Sequence, residues 1–264
     1  MEVRDILVHL DHSASSAARL ETAVGLAKRH QARLTGLLVT TQRYPSEAAA
    51  AEAQGQFEQE AALAGIEAEW HYVDGSGLLI GVTEIVRSHA HGSDLVVVGQ
   101  GSRESAEAGT PFELPEGLVL VSGLPVLVVP YAGAFTSVGE RVLVAWKAGR
   151  ESTRALNDAM PILKLAQQVE ILTVVGLEAN GERDSGDTAD LCKHLARHGV
   201  AARATRLPAG HVSLGDLFLN RICDEGFDLL VMGAYAHAKD GKPELGLAAR
   251  QLLREMTVPV LMSH

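Results

Sequence analysis

The chain repeats itself at long range. Asp94-Leu95-Val96-Val97-Val98-Gly99 returns as Asp228-Leu229-Leu230-Val231-Met232-Gly233, and Pro125-Val126-Leu127-Val128-Val129 returns as Pro259-Val260-Leu261-Met262, both at an offset of 134 residues. Near the start, Ile6-Leu7-Val8 matches Val142-Leu143-Val144 at an offset of 136, so small insertions or deletions separate the copies. Solenoid repeats run about 20–50 residues, so a period this long marks a duplicated domain instead. In 264 residues it leaves two domains of about 130 residues each. The expected bounds are residues 1–131 and 140–264, joined by a small, glycine-bearing linker at 132–139.

Both halves alternate short Val/Ile/Leu runs with longer segments of helical period. Strands are expected near 4–10, 33–39, 67–73, 94–98 and 125–129, then near 141–146, 169–175, 201–207, 228–232 and 258–262. Helices are expected near 14–30, 46–64, 77–91 and 113–122, then near 151–167, 186–198, 213–225 and 245–255. Leu156, Met160, Leu163 and Leu165 form the apolar stripe of one of them. Strands that read as continuous apolar runs belong to a parallel sheet covered on both faces. The fold class is therefore α/β: two tandem doubly wound parallel five-stranded sheets flanked by helices, related by a pseudo-two-fold.

Composition excludes several functions. Hydrophobic residues make up 47% of the chain, yet no charge-free apolar run reaches 18 residues, so no membrane span is expected. Met1-Glu2-Val3-Arg4-Asp5 leads straight into a strand-like run, unlike a secretory leader. Cys192 and Cys223 form no CxxC, so neither a disulfide framework nor a zinc site is expected, and a reducing cytoplasm is the expected location. The formal charge is −10, and residues 1–130 carry −9 of it, from 8 Lys+Arg and 17 Asp+Glu. No basic face offers itself to nucleic acid.

In an open parallel sheet, ligands bind beyond the carboxyl ends of the strands where strand order reverses. In the second half the fourth strand ends at Gly233, then Ala234-Tyr235-Ala236-His237 and a polar stretch lead to Gly246 at a helix start. Glycines placed so let a backbone wrap phosphate with its N–H groups. The same two glycines also suit a plain strand end and helix entry. Trp146 and Tyr235, at strand ends, offer rings to a base or cover for the sheet edge.

The segments Asp228 to His237, Leu252 to His264 and Asp94 to Gly99 resemble the universal stress protein family in its tandem two-domain form, over nearly the whole chain. The resemblance implies ATP or another adenine nucleotide as a ligand, with no obligatory cofactor. It implies a phosphate loop of two glycines three apart, then nine residues, then a glycine followed by a small or hydroxyl residue. It also implies an aspartate after the first strand that contacts the adenosine. In the second half these positions are Gly233, Ala236, Gly246 and Leu247, with His237 beside them and Lys147 at the aspartate position. Alanine restricts positive φ, leucine offers no hydrogen bond, and lysine cannot accept one from a ribose. The first half keeps Asp11 but has lost the glycine loop, and Glu104, Glu107, Glu113 and Glu116 there would repel a triphosphate. Asp11 is equally suited to cap the helix that follows it.

The resemblance further implies association through the last strands, here Val126–Val129 and Val260–Met262, as an intramolecular pseudo-dimer or a homodimer. His89 and His91, near Asp94, read as a solvated pair and not as a metal site. No Gly-x-Ser-x-Gly, HExxH or Walker lysine motif occurs, so no catalytic residue is assigned. The expected function is a non-catalytic stress-response module, with weak or altered adenine-nucleotide binding in the second half. Nucleotide hydrolysis assisted by His237 or Asp11, and a ligand-free partner-binding scaffold, are the alternatives.

Overall fold

The structure, a computed structural model, describes residues 2–41, 47–176, 188–239 and 242–264, with the side chains of 236–239 and 242–243 outside the described ones. The chain divides into two units, Glu2–Ser137 and Val138–His264.

The strands of the first unit, among the described residues, are β1 (Asp5–Leu10), β2 (Arg33–Thr40), β3 (Ala68–Asp74), β4 (Leu95–Gly99) and β5 (Val126–Val129). Their spatial order is β3-β2-β1-β4-β5, every pairing parallel. Parallel neighbours need crossovers, and the helices α1 (Ser15–His30), α2 (Glu47–Ala64), α3 (Val82–His89), α4 (Arg103–Glu107) and α5 (Leu114–Val121) supply them. The central strands are apolar on both faces: Leu7, Val8, Val96, Val97 and Val98 are all fully buried. Gly36 on β2 leaves the space that the Phe57 and Trp70 rings fill, since a Cβ there would lie 2.7 Å from Phe57.

The second unit repeats the pattern with β6 (Arg141–Ala145), β7 (Gln168–Val175), β8 (Ala202–Pro208), β9 (Leu229–Gly233) and, after a hairpin described below, a last strand at Val260–Ser263. The last strand pairs with β9, β9 with β6, β6 with β7 and β7 with β8, all parallel. Its helices are α6 (Arg150–Leu163), α7 (Thr188–Arg197), α8 (Leu214–Glu225) and α9 (Leu247–Glu255). Glu170, fully buried on β7, accepts hydrogen bonds from Arg203 Nε on β8 (2.7 Å) and Arg221 Nε on α8 (2.9 Å), tying helix to sheet.

The expected α/β architecture is therefore present, with differences that have local causes. The helix expected over 77–91 is α3 followed by a short 3-10 turn at Ala90–Gly92, and it starts late because Gly75, Gly77 and Gly81 interrupt the segment before it. Leu165 lies beyond the end of α6 and is exposed, so it is no part of that helix's buried stripe. The outer strands β3 and β8 consist of exposed and half-buried residues and do not read as continuous apolar runs. At the other end of each order, β5 and Val260–Ser263 consist of buried residues.

Candidate functional site

Strand order reverses beside β1 in the first unit and beside β6 in the second, so the carboxyl ends of β1/β4 and β6/β9 are the places to look for a ligand. The two units treat this place in opposite ways.

In the first unit Asp11 follows β1 directly and is buried. Its Oδ1 accepts from Ser13 N (3.1 Å), Ser13 Oγ (2.5 Å) and Arg19 Nη2 (2.8 Å), and its Oδ2 accepts from Thr110 Oγ1 (3.0 Å). Burial opposes the charged form, yet the Arg19 guanidinium and the Ser13 hydrogen bonds outweigh it and hold the carboxyl well below the usual carboxylate range. Arg19 stands on the inner face of α1 with Leu20, Ala23 and Leu26, and its guanidinium packs onto Gly99 at the end of β4 so closely that a Cβ there would collide with Nη1. Asp11 does not cap α1. The N-cap is Ala14, three residues on, and the Asp11 side chain turns to Ser13 and Arg19 instead.

The chain after β4 then closes over this ion pair. Ser102 caps the short helix α4 by accepting from Ser105 N (2.9 Å). That places Glu104 Oε1 to accept from Ala14 N (2.8 Å) at the start of α1. A helix N-terminus favours an anion, and here the anion is the protein's own carboxylate. His9, one pleat before Asp11, is fully buried, and both ring nitrogens lack a hydrogen-bond partner. Burial first, and the Arg19 charge second, push its pKa down to about 4.

In the second unit the position matching Asp11 is Lys147, which is exposed beyond the end of β6. The half-buried Trp146 donates its backbone N–H to Leu172 O (2.8 Å). Gly149 precedes α6 in an extended conformation, and its carbonyl accepts from Thr153 N (3.0 Å) and Thr153 Oγ1 (2.9 Å). Gly233 ends β9 directly beneath the first turn of α6, where a Cβ would lie 2.5 Å from Glu151 C and Ser152 N. The glycine is thus required by helix–strand packing, whatever else it does.

Between Gly233 and Gly246 the sequence led us to expect a polar loop, but the structure places a hairpin there. Strand β10 (Ala236–Lys239) pairs antiparallel with β11 (Lys242–Leu245), in the register Ala236↔Leu245 and His237↔Glu244. The last strand of the unit, Val260–Ser263, is accordingly β12. Gly246 N donates to Tyr235 O (2.9 Å) and closes the hairpin base, and Gly246 serves as N-cap of α9. Tyr235 and Leu247 are both exposed at that base, and His264 Nδ1 donates to Ala234 O (2.8 Å) behind it. Gly233, Ala236, Gly246 and Leu247 are therefore brought together, but Ala236 belongs to a β-ladder and not to a phosphate-wrapping turn. The His237 side chain lies outside the described ones, and Asp11 belongs to the other unit.

Sequence reasoning missed Arg19, Ser13 and Thr110. One signal was present for Arg19: it falls in helical register with the apolar Ala23 and Leu26, where a solvated arginine would not stand. His89 lies beside His71, and the Asp94 carboxylate accepts from Arg4 N (2.8 Å) and Asp5 N (3.0 Å). Among the described residues no group of three or more His, Cys, Asp or Glu could hold a metal, and no helix is long and apolar enough to cross a membrane.

No sequence family matches the chain, and no curated protein does. Solved structures do match. A universal stress protein from Archaeoglobus fulgidus DSM 4304 is 19% identical, with a TM-score of 0.74 over 100% of this chain and 99% of that one. A putative universal stress protein from Pseudomonas aeruginosa is 16% identical, with a TM-score of 0.70 over 99% of this chain and 93% of its own. The cytoplasmic domain of a prokaryotic cation chloride cotransporter is 12% identical, with a TM-score of 0.55 over 99% and 95%. The fold is that of the tandem universal stress proteins, and a fold by itself names no ligand.

Proposed function

We propose that this chain is a tandem universal stress protein that binds and does not catalyse, with adenine-nucleotide capacity confined to its second unit. The observation that carries this reading is the contrast between the two strand-order reversals. In the first, both Asp11 oxygens are engaged by Ser13, Arg19 and Thr110, and Glu104 takes the anion position at α1. In the second, an exposed lysine stands in the aspartate's place, next to the first turn of α6 on Gly233. That arrangement favours phosphate over ribose: a lysine donates to an anion and cannot accept from a hydroxyl. Weak binding follows, because the hairpin gives up the glycine loop whose amides would wrap a triphosphate.

Equilibrium titration of the full chain with ATP and AMP tests this. Lys147→Glu should weaken ATP binding by about tenfold or more, as expected for losing a charge-assisted contact. Gly246→Trp should abolish it, and Glu104→Gln should leave it unchanged. Binding lost only in Asp11→Ala would move the site to the first unit.

One observation favours a second reading, a partner-binding scaffold. Leu78, Leu79 and Ile80, three consecutive apolar residues between β3 and α3, are all exposed. No nucleotide binding, together with a stable complex that Leu79→Ser weakens, would favour it.

A further inference from the structure

We propose that His71 and His89 form a two-histidine site for a borderline divalent transition cation of the zinc, nickel and copper class, bridging β3 and α3. The two rings meet edge to face, with centroids 5.6 Å apart and an interplanar angle of 74°. A metal–nitrogen bond of about 2.0–2.1 Å puts each ring centre roughly 3.2 Å from the ion, so two rings on one tetrahedral ion stand about 5 Å apart. The observed separation is close to that value, and ligation requires one ring to rotate out of the edge-to-face arrangement so that both free nitrogens meet the ion.

The hydrogen bonds around the pair decide which nitrogens are free to ligate. His71 Nε2 lies 2.8 Å from Glu69 Oε1, and a carboxylate can only accept, so Nε2 donates and in the neutral ring the lone pair falls on Nδ1. His89 Nδ1 lies 2.9 Å from the carbonyl of Ile85, which likewise only accepts, so Nε2 keeps its lone pair. Each imidazole thus donates one N–H to an oxygen and offers the other nitrogen, as ligating histidines do. Glu69 is itself held by Arg33 Nη1 (2.8 Å), which fixes the carboxylate that orients His71. Neighbouring charges are already matched, because Arg87 pairs with Glu84 through Nε (2.9 Å). His91, which the sequence reads with His89 as a solvated pair, turns to Arg87, 3.4 Å from Nη1.

Both histidines are partly exposed, so an ion can enter from solvent and water can complete its shell. No third protein ligand is placed with them among the described residues, so the site is bidentate and open. Two neutral nitrogens suit zinc, nickel and copper and exclude calcium and magnesium, which require oxygen.

The full chain, stripped with chelator and titrated calorimetrically with zinc or nickel at neutral pH, tests the assignment. A second histidine pair, His194 and His198 on and just after α7, has ring centroids 4.7 Å apart and must be removed as a competitor. The double variant His194→Ala/His198→Ala should keep one ion per chain. Adding His71→Ala or His89→Ala should weaken that binding at least tenfold, and Glu69→Ala should weaken it by about tenfold through the lost second shell. In the unmutated chain the ring proton signals of His71 and His89 should move together as zinc is added, a readout that needs no variant. Binding that disappears with His194 and His198, or ring signals of His71 and His89 that zinc leaves unmoved, would overturn the proposal.

Discussion

A guanidinium, a carboxylate and an imidazole share the buried end of β1, and only two of them balance each other. Arg19 and Asp11 compensate one another at 2.8 Å, whereas His9 sits beside them neutral and without a hydrogen bond. Neutrality is enforced: charging the ring would cost desolvation and repulsion from Arg19. The folded pKa of about 4 lies below the ordinary 6.5, so the folded state resists a proton that the unfolded chain accepts. Protonation of the unfolded chain therefore leaves stability untouched above about pH 6.5 and lowers it progressively as pH falls towards 4, by about 3 kcal/mol in all. Asp11, whose pKa is depressed, loses its contribution only at more acid pH. We predict that His9→Leu flattens the dependence of the urea midpoint on pH between 6.5 and 4, and that it costs nothing at neutral pH because an orphaned polar ring is removed. His30, also pushed down by burial, accounts for a slope that the variant retains. A full wild-type slope in His9→Leu would show that the ring is not its source.

The glycines that bracket the hairpin are chemically identical and structurally opposite, and this difference belongs to the elements around them. At Gly233 a Cβ would press on the backbone of Glu151 and Ser152 at 2.5 Å, so α6 would have to lift from β9. At Gly246 the nearest atom, Tyr235 O, is 3.5 Å away, and the backbone has φ −60°, which any residue adopts. Gly233→Ala should therefore lower stability by about 1–3 kcal/mol, while Gly246→Ala should change it by less than about 0.5 kcal/mol, both read from denaturant midpoints. Spacing alone made the two look like halves of one motif. The central strands were legible in the sequence because burial on both faces leaves an uninterrupted apolar run, as in Val96–Val98 and Leu229–Val231. The hairpin was not. Ala-His-Ala-Lys and Lys-Pro-Glu-Leu carry no β-branched or aromatic residue and include a proline, and their pairing is closed at its base between Tyr235 and Gly246. The buried ion pair of the first unit was half legible. Asp11 and the acidic loop could be read, but which cation met Asp11 depended on α1 turning Arg19 inward.

Across the whole molecule, one architecture occurs twice with its strand-order reversal used in two ways. In the first unit, which carries nearly all of the excess acid, internal residues fill the strand-order reversal: Arg19 stands on Gly99, and Glu104 sits at α1. Ligand binding there would have to break a buried ion pair, at a cost of about 3–5 kcal/mol before any contact forms. The second unit is nearly neutral and presents Lys147 at the corresponding end, so a phosphate meets neither that cost nor a comparable repulsive field. A bound ligand slows exchange most at amides whose local opening breaks its contacts, and only at concentrations above its dissociation constant. Saturating ATP should therefore slow amide exchange at 146–153 and 233–247 and leave 11–19 and 99–112 unchanged. Raising the salt should diminish the protection, since it depends on one exposed cation. Protection at 11–19 would mean that the Asp11–Arg19 pair opens for a ligand after all, and the roles of the two units would be reversed.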